Sequence, residues 1–297
     1  MIDLSIVIVN YNAKEYLKRC LDSLFEPSLK NLEIIVVDNA SKDGSVEELK
    51  KIVPRIKLIV NRNNSGFSSA NNQGVKISKG RYILFLNPDT NVYPKTLEYM
   101  LKFMDKNKDA GAATCKVLLP NGNLDDASHR GFPTPWNAFS YFSGLEGLLP
   151  RSRVFGGYHM GWEDLNKTHQ IKACAGAFML VRREAGKDIG WWDEDYFFYG
   201  EDLDFCLELL KNKWKIYFVP RVSILHYKGI SSGIKNHSKH LSHADLETQK
   251  AATVARYDAM KILYRKQYKG KYPVIVDFLV DKFINLKFWY STQKIRS

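Results

Sequence analysis

Three unbroken apolar runs, LSIVIV at 4–9, LEIIVVD at 32–38 and IKLIV at 56–60, are separated by stretches in which apolar residues recur at helical spacing. Continuous apolar strands belong to a parallel sheet covered on both faces, because a sheet with one wet face alternates apolar and polar residues. Between the first two runs, AKEYLKRCLDSLF at 13–25 places Tyr16, Leu17, Cys20, Leu21 and Leu24 on one helical face. SKDGSVEELKKIV at 41–53 and SSANNQGVKISKG at 68–80 supply two more helices, the second expected to close on Gly80 as its C-terminal cap. RYILFLN at 81–87 is a fourth strand. The alternation predicts an α/β fold with a Rossmann-like, mostly parallel central sheet flanked by helices, in which ligands collect beyond the carboxyl ends of the strands.

The pattern loosens from Asn121 to His169, a stretch rich in Gly, Pro and aromatic residues that reads as long loops. Its histidines, His129, His159 and His169, show no ligand spacing and read as structural or solvated. Order returns at 174–220, where Ala175, Gly176 and Ala177 lead a strand, GWWDEDYFFYGED carries Asp193, Glu194, Asp195, Glu201 and Asp202, and EDLDFCLELLKN forms a helix. A strand KIYFVP, expected to stop at Pro220, precedes ILHYKGISSG at 224–233. From 236 onward the chain reads as one or two basic helices. Around Tyr272 to Tyr290, Asp277, Asp281 and Asn285 recur every four residues while Ile275, Phe278, Leu279, Phe283, Leu286 and Trp289 cover the rest, an amphipathic helix with a broad apolar face. Two placements fit it: on an anionic membrane surface, or packed on the rest of the chain or on a second subunit in a homodimer. No stretch reaches the roughly 18 uncharged residues needed to span a bilayer.

Composition narrows the picture. With 297 residues, 45% of them apolar, the chain can bury a sizeable core. MIDLSIVIVN lacks a basic leader and its apolar run is too short for a signal peptide, so the expectation is a chain that begins in folded structure and stays in the cytoplasm. Cys20, Cys115, Cys174 and Cys206 have no CxxC spacing and read as buried thiols. A net charge of +12 calls for an anionic partner, and nucleic acid, acidic lipid and phosphorylated substrates all qualify. The lysines are dispersed and form no recognised nucleic-acid module, so no nucleic acid is expected.

Three of the four strands end in polar residues: Asn10 and Asn12 in NYN, Asp38 and Asn39 in DNAS, Asn87 and Asp89 in NPDT. Each alone is an ordinary turn or helix cap. Together, at the carboxyl ends of a parallel sheet, they point to a ligand. Neither GxGxxG nor GxxxxGK[ST] is present, so the site is neither a dinucleotide fingerprint nor a P-loop.

VIVNYN, VVDNASKDGS, NRNNSGFSSANNQG, YILFLNPDT and the whole run 174–220 resemble family 2 glycosyltransferases of the GT-A fold, most closely the rhamnosyltransferase-like branch, over about residues 3–235. The resemblance implies a catalytic unit at 1–235, with a nucleotide-sugar half at 1–120 and an acceptor half at 121–235, followed by a basic helical tail at 236–297. It implies that Asn10, Asn12, Asp38, Asn39, Asn64, Gly66, Asn71 and Asn87 meet the donor, with Asp38 at its base or ribose. Gly176 and Ala177 would pass close to the donor sugar and diphosphate. Asn87 replaces the first Asp of the family's usual DxD, as that branch itself shows, and would bond sugar or ribose more than metal. Asp89 and His226 would hold a divalent cation, Mg²⁺ or Mn²⁺, with Lys228 and Ser231 within reach of the diphosphate.

The chemistry suits these residue types. A nucleotide-sugar donor leaves as a diphosphate whose growing negative charge a divalent cation offsets, and a strand-end Asp on a turn fixed by Pro88 can ligate that ion without reorganising. An inverting transfer also needs a carboxylate to take the acceptor hydroxyl's proton. By resemblance that base is Asp202, with Glu201 in support, although either could simply cap the helix they begin. Trp191, Trp192 and Asp193 would meet the acceptor, with a core role for one of the two rings left open. The expected activity is an inverting transfer of a sugar, L-rhamnose from dTDP-rhamnose, to a glycan or lipid-linked glycan in cell-surface polysaccharide synthesis, at the inner face of the cell membrane. A sugar-phosphate nucleotidyltransferase would need a Gly-rich, basic loop after the first strand, which NYNAKEYL lacks. A non-catalytic sugar-binding protein would be expected to have lost Asp89, Asp202 or His226, and all three are present.

Overall fold

The four N-terminal strands form as the apolar runs require: β1 (Leu4–Asn10), β2 (Leu32–Asp38), β3 (Lys57–Val60) and β4 (Tyr82–Leu86), all mutually parallel in the order β3-β2-β1-β4. The computed structural model describes residues 2–25, 31–52, 55–229 and 246–296. Helices α1 (Lys14–Leu24), α2 (Ser45–Ile52) and α3 (Phe67–Ile77) make the crossovers. Beyond β4 the sheet turns mixed. A short β5 (Thr90–Val92), α4 (Thr96–Lys106) and β6 (Ala110–Leu118) lead through a 3-10 turn at Asp126–Ser128 to two short helices, α5 (Pro135–Phe142) and α6 (Leu145–Leu148). Then come β7 (His169–Ile171), β8 (Phe178–Arg182), α7 (Arg183–Asp188), α8 (Glu201–Lys211) and β9 (Lys215–His226). β8 runs antiparallel between β4 and β6, β9 lies beside β6, and β5 closes the edge antiparallel to β9.

Both faces of this sheet are covered, which is why its strands are apolar without alternation. Val7, Ile35 and Phe85 face α3, α8 and Trp192, whereas Ile6, Ile8 and Leu84 face α1 and α4. All four cysteines are buried and unbridged.

Three expectations change. Gly80 is not a helix cap: α3 ends at Ile77, and Gly80 is required because a Cβ there would lie 2.5 Å from the backbone nitrogen of Ser5 in β1. The last strand does not stop at Pro220. β9 continues to His226, and Pro220 falls where the pairing jumps from Cys115–Val219 to Lys116–Ser223, a bulge that spares the proline a ladder hydrogen bond. The stretch 121–169 is not loop alone, since α5 and α6 lie within it.

The C-terminal part holds two long helices, α9 (Leu246–Gln267) and α10 (Val274–Arg296). α9 packs on the rest of the protein, with Gln267 donating to Asp204 of α8 at 2.6 Å and Ala259 set against Gly200. α10 packs on α9 through Phe288 against Tyr257 and through Asp277, which accepts from the Tyr264 hydroxyl at 2.5 Å. Asp277 therefore turns inward, away from the polar face that its spacing suggested. No helix among the described residues is long and apolar enough to cross a membrane. The start of the tail, 236–245, and Ser231 lie outside the described residues.

Candidate active site

β1 and β2 end in register, Asn10 beside Asp38, so the first two polar strand ends meet. The Asn10 amide donates to Asp38 Oδ2 at 2.8 Å, and the Ser41 amide donates to Asp38 Oδ1 at 2.9 Å, which closes the turn after β2. Asn10 Oδ1 is buried with no partner, a polar atom that a ligand can satisfy. Asn12, at φ +50°, accepts from the Lys42 amide.

The neighbouring asparagines knit loops together. Asn39 donates to Asn64 Oδ1 and to the Gly66 carbonyl, while Asn71 donates to the Phe67 carbonyl within α3. Gly66, at φ +84°, admits no side chain: a Cβ would lie 2.7 Å from the Phe197 carbonyl. Gly176 is likewise crowded by protein, its missing Cβ 3.1 Å from the Phe67 ring, and the Ala177 carbonyl accepts from the Asn87 amide. The structure thus shows these expected donor residues held by protein partners.

At the far edge, β5 pairs antiparallel with the end of β9 so that Thr90 stands opposite His226. That register brings Asp89 beside His226, with Oδ1 and Nε2 3.3 Å apart, and the Tyr227 amide anchors the Asp89 carbonyl at 2.9 Å. The other ring nitrogen, Nδ1, lies 2.9 Å from Asp125, a fully buried carboxylate that also takes an ion pair from Lys228. Burial pulls the His226 imidazole toward neutrality, but Asp89 and Asp125 outweigh it and lift its pKa to about 9. Burial would raise Asp125 in turn, yet His226 and Lys228 hold it well below the carboxylate range. A carboxylate and an imidazole that face each other, the imidazole backed by a second carboxylate, form the kind of donor set that holds a divalent metal ion. Among the described residues no third His, Cys, Asp or Glu joins them.

The carboxylate pair 201–202 opens α8 after a loop of unusual backbone: Trp191, Tyr199 and Gly200 all have positive φ. Asp202 Oδ2 accepts from Arg130 at 2.7 Å and Oδ1 from the Leu203 amide. Arg130 is positioned by two backbone hydrogen bonds to Ala173. Glu201 is buried with Oε2 unpartnered, and burial together with the Asp202 charge raises its pKa to about 8. The two adjacent carboxyls thus have different surroundings, Glu201 buried with Oε2 unpartnered and Asp202 held on Arg130. Trp192 is 2% exposed and packs on Phe67, Phe85 and Phe205, which makes it the core ring of the two. Trp191 packs over Gly186 and is partly exposed. Asp193 pairs with Lys266 of α9.

Asp125 and Arg130 were not among the expected site residues, because their stretch carries no motif and their roles come from pairing across the fold. Lys228 is spent on Asp125 rather than free for a phosphate. His129 and His169, which sequence spacing left unconnected, bring their Nε2 atoms to 2.7 Å.

A parallel-then-mixed sheet with its polar groups at the strand ends, an acidic turn after the fourth strand and a carboxylate pair on a later helix define a glycosyltransferase of the GT-A fold. Residues 5–190 match the family model described as "Glycosyl transferase family 2", and the chain belongs to that family. It is 29% identical over 233 residues to rhamnosyltransferase WbbL of Escherichia coli K12, covering 75% of this chain and 82% of that protein. It is 26% identical over 264 residues to the N-acetylglucosaminyl-diphospho-decaprenol L-rhamnosyltransferase of Mycobacterium tuberculosis, covering 80% of each. Among solved structures, GalNAc-T7 with UDP, GalNAc and Mn²⁺ shares the fold at a TM-score of 0.58 and 20% identity, over 76% of this chain and 44% of that one.

Proposed function

We propose that the protein is an inverting, metal-dependent sugar transferase that moves L-rhamnose from dTDP-rhamnose to a glycan or lipid-linked glycan acceptor. The observation that carries this reading is the separation of two devices in one site: Asp89 with His226 at one edge, and Asp202 held by Arg130 at the other. The names of the two rhamnosyltransferases support the sugar, and the decaprenol-linked substrate of the second supports a lipid-linked acceptor.

Asp89 and His226 would hold Mg²⁺ or Mn²⁺, which when bound neutralises charge on the leaving diphosphate; the Mn²⁺ of GalNAc-T7 supports the type of ion. Asp125 fixes the imidazole so that Nε2 faces Asp89. Asn10 offers its unpartnered carbonyl to the nucleotide, and Asp38 stiffens that wall. Asp202 takes the proton from the acceptor hydroxyl as that oxygen attacks the anomeric carbon; each of its oxygens already accepts one hydrogen bond and keeps a lone pair for the hydroxyl. Glu201, its pKa raised to about 8 by burial, faces inward, and Asp202 is the carboxyl placed on Arg130.

Thermal stabilisation by a panel of nucleotide sugars, with and without Mn²⁺, tests the reading. dTDP-rhamnose with Mn²⁺ should give the largest rise in Tm, and the metal's contribution should vanish in Asp89→Ala. Equal stabilisation by unrelated nucleotides, or a metal effect that survives Asp89→Ala, contradicts it.

A further inference from the structure

α5 is built inside out. Its Ser140 is buried and bonded to the Phe155 carbonyl, and Asn137 donates to the Phe132 carbonyl, while Trp136, Phe139 and Phe142 face outward at 46%, 56% and 45% exposure. The segment that follows adds Leu148, 77% exposed, and Val154. In water such a helix wastes its aromatic face. It does not stand alone, because Phe142 meets Phe283 of α10 with ring centroids 4.9 Å apart and Lys287 lies over the Phe142 ring at 4.6 Å. On α10 the side turned away from α9 continues the surface with Ile275, Leu279, Leu286 and Trp289, all exposed.

The charges around this surface are mainly basic; the exposed acid of α10, Asp281, is bonded by Asn285. Arg151, Arg153 and Lys282 are exposed at its border, and Lys287 lies within it. Glu146, the acidic residue of segment 135–155, is buried and accepts from the His159 amide. The surface also adjoins the site: Arg130, which holds Asp202, lies 3.5 Å from the Tyr158 hydroxyl, and the Tyr158 ring packs on Tyr141 of α5.

We propose that the outward faces of α5, α6 and α10 form one docking surface for an anionic lipid bilayer, which sets the acceptor side of the site against the membrane. Outward aromatic and leucine side chains sink to the headgroup level while arginine and lysine meet anionic lipid, the pattern of helices that lie in an interface without spanning it. The proposal deepens the transferase reading by naming how a lipid-linked acceptor is met, and its test uses neither donor nor acceptor, so either can fail without the other.

Flotation with vesicles of phosphatidylcholine and phosphatidylglycerol, against pure phosphatidylcholine, measures the binding of the full chain. The wild type should bind the anionic vesicles, less so in high salt. Phe139→Ser with Leu148→Ser, and separately Leu279→Ser with Leu286→Ser, should each weaken binding at least about tenfold. The positions are exposed, so Tm and nucleotide-induced stabilisation should stay at wild-type values, which confirms that both variants fold. Wild type that ignores anionic vesicles, or variants that bind like wild type, overturns the proposal. So does a wild-type dimer in sedimentation velocity that Phe139→Ser with Leu148→Ser converts to monomer, for then a second copy covers the surface.

Discussion

Glu201 and Asp202 are neighbours in sequence with opposite surroundings, and on the proposed reading the difference makes Asp202 the base. Burial without a partner raises Glu201 from the ordinary 4.5 to about 8, whereas Asp202 faces Arg130. A group whose folded pKa lies above its unfolded one adds stability that is complete below 4.5 and is lost as pH climbs to about 8. The slope in that window is at most about 1.4 kcal/mol per pH unit. Glu201→Gln should therefore flatten the fall of Tm across it, and parallel Tm curves for wild type and variant would refute the assignment. Asp89, Asp202 and His226 stand out in the sequence at strand ends and in an ED pair, and the structure sets Asp89 against His226 and Asp202 against Arg130. Asp125 and Arg130 do not, because a carboxylate 101 residues from His226 meets it only through the pairing of β6 with β9, which sets the turn after β6 beside the end of β9.

At the level of elements, close approach outweighs local conformation. Gly80 passes over Ser5 of β1 with no room for a methyl group, its amide donating to the Ser5 hydroxyl at 2.8 Å. Backbone cannot yield as a flexible side chain can, so Gly80→Ala should cost about 1–3 kcal/mol, read as a lowered Tm with no change in donor affinity per folded molecule. An unchanged Tm would mean that β1 and the turn before β4 move apart freely. The four N-terminal strands were readable within a residue or two, because apolar periodicity and burial agree there, while α2 starts four residues later and α3 ends three residues earlier than expected. α5 escaped notice for the opposite reason: its polar side faces inward and its aromatics outward, so a search for an apolar inner face misses it. β9 was cut short because Pro220 reads as a strand stop, and only its partner's register reveals the bulge.

β1, β2 and the β5–β9 edge carry Asn10, Asp38, Asp89 and His226, the proposed donor side, and α8 carries Asp202 against Arg130, the proposed acceptor side. α9 braces the second side through Gln267 on Asp204 and Lys266 on Asp193, so the tail is part of the catalytic unit's support as well as a carrier of α10. The sequence left open whether the tail packs or meets a membrane, and the arrangement of α9 and α10 allows both, one helix inward and the other with a face outward. The central claim is that Asp202 is the base. Its most direct test is turnover of Asp202→Asn beside the donor's Kd from calorimetry, since the amide keeps the shape of the carboxylate and one of its two acceptor oxygens while losing its charge and basicity. Removal of such a base typically costs 10²–10⁴-fold, so kcat should fall at least about a hundredfold while Kd moves only a few-fold. Near-normal turnover in Asp202→Asn, with Glu201→Gln inactive, would contradict the account.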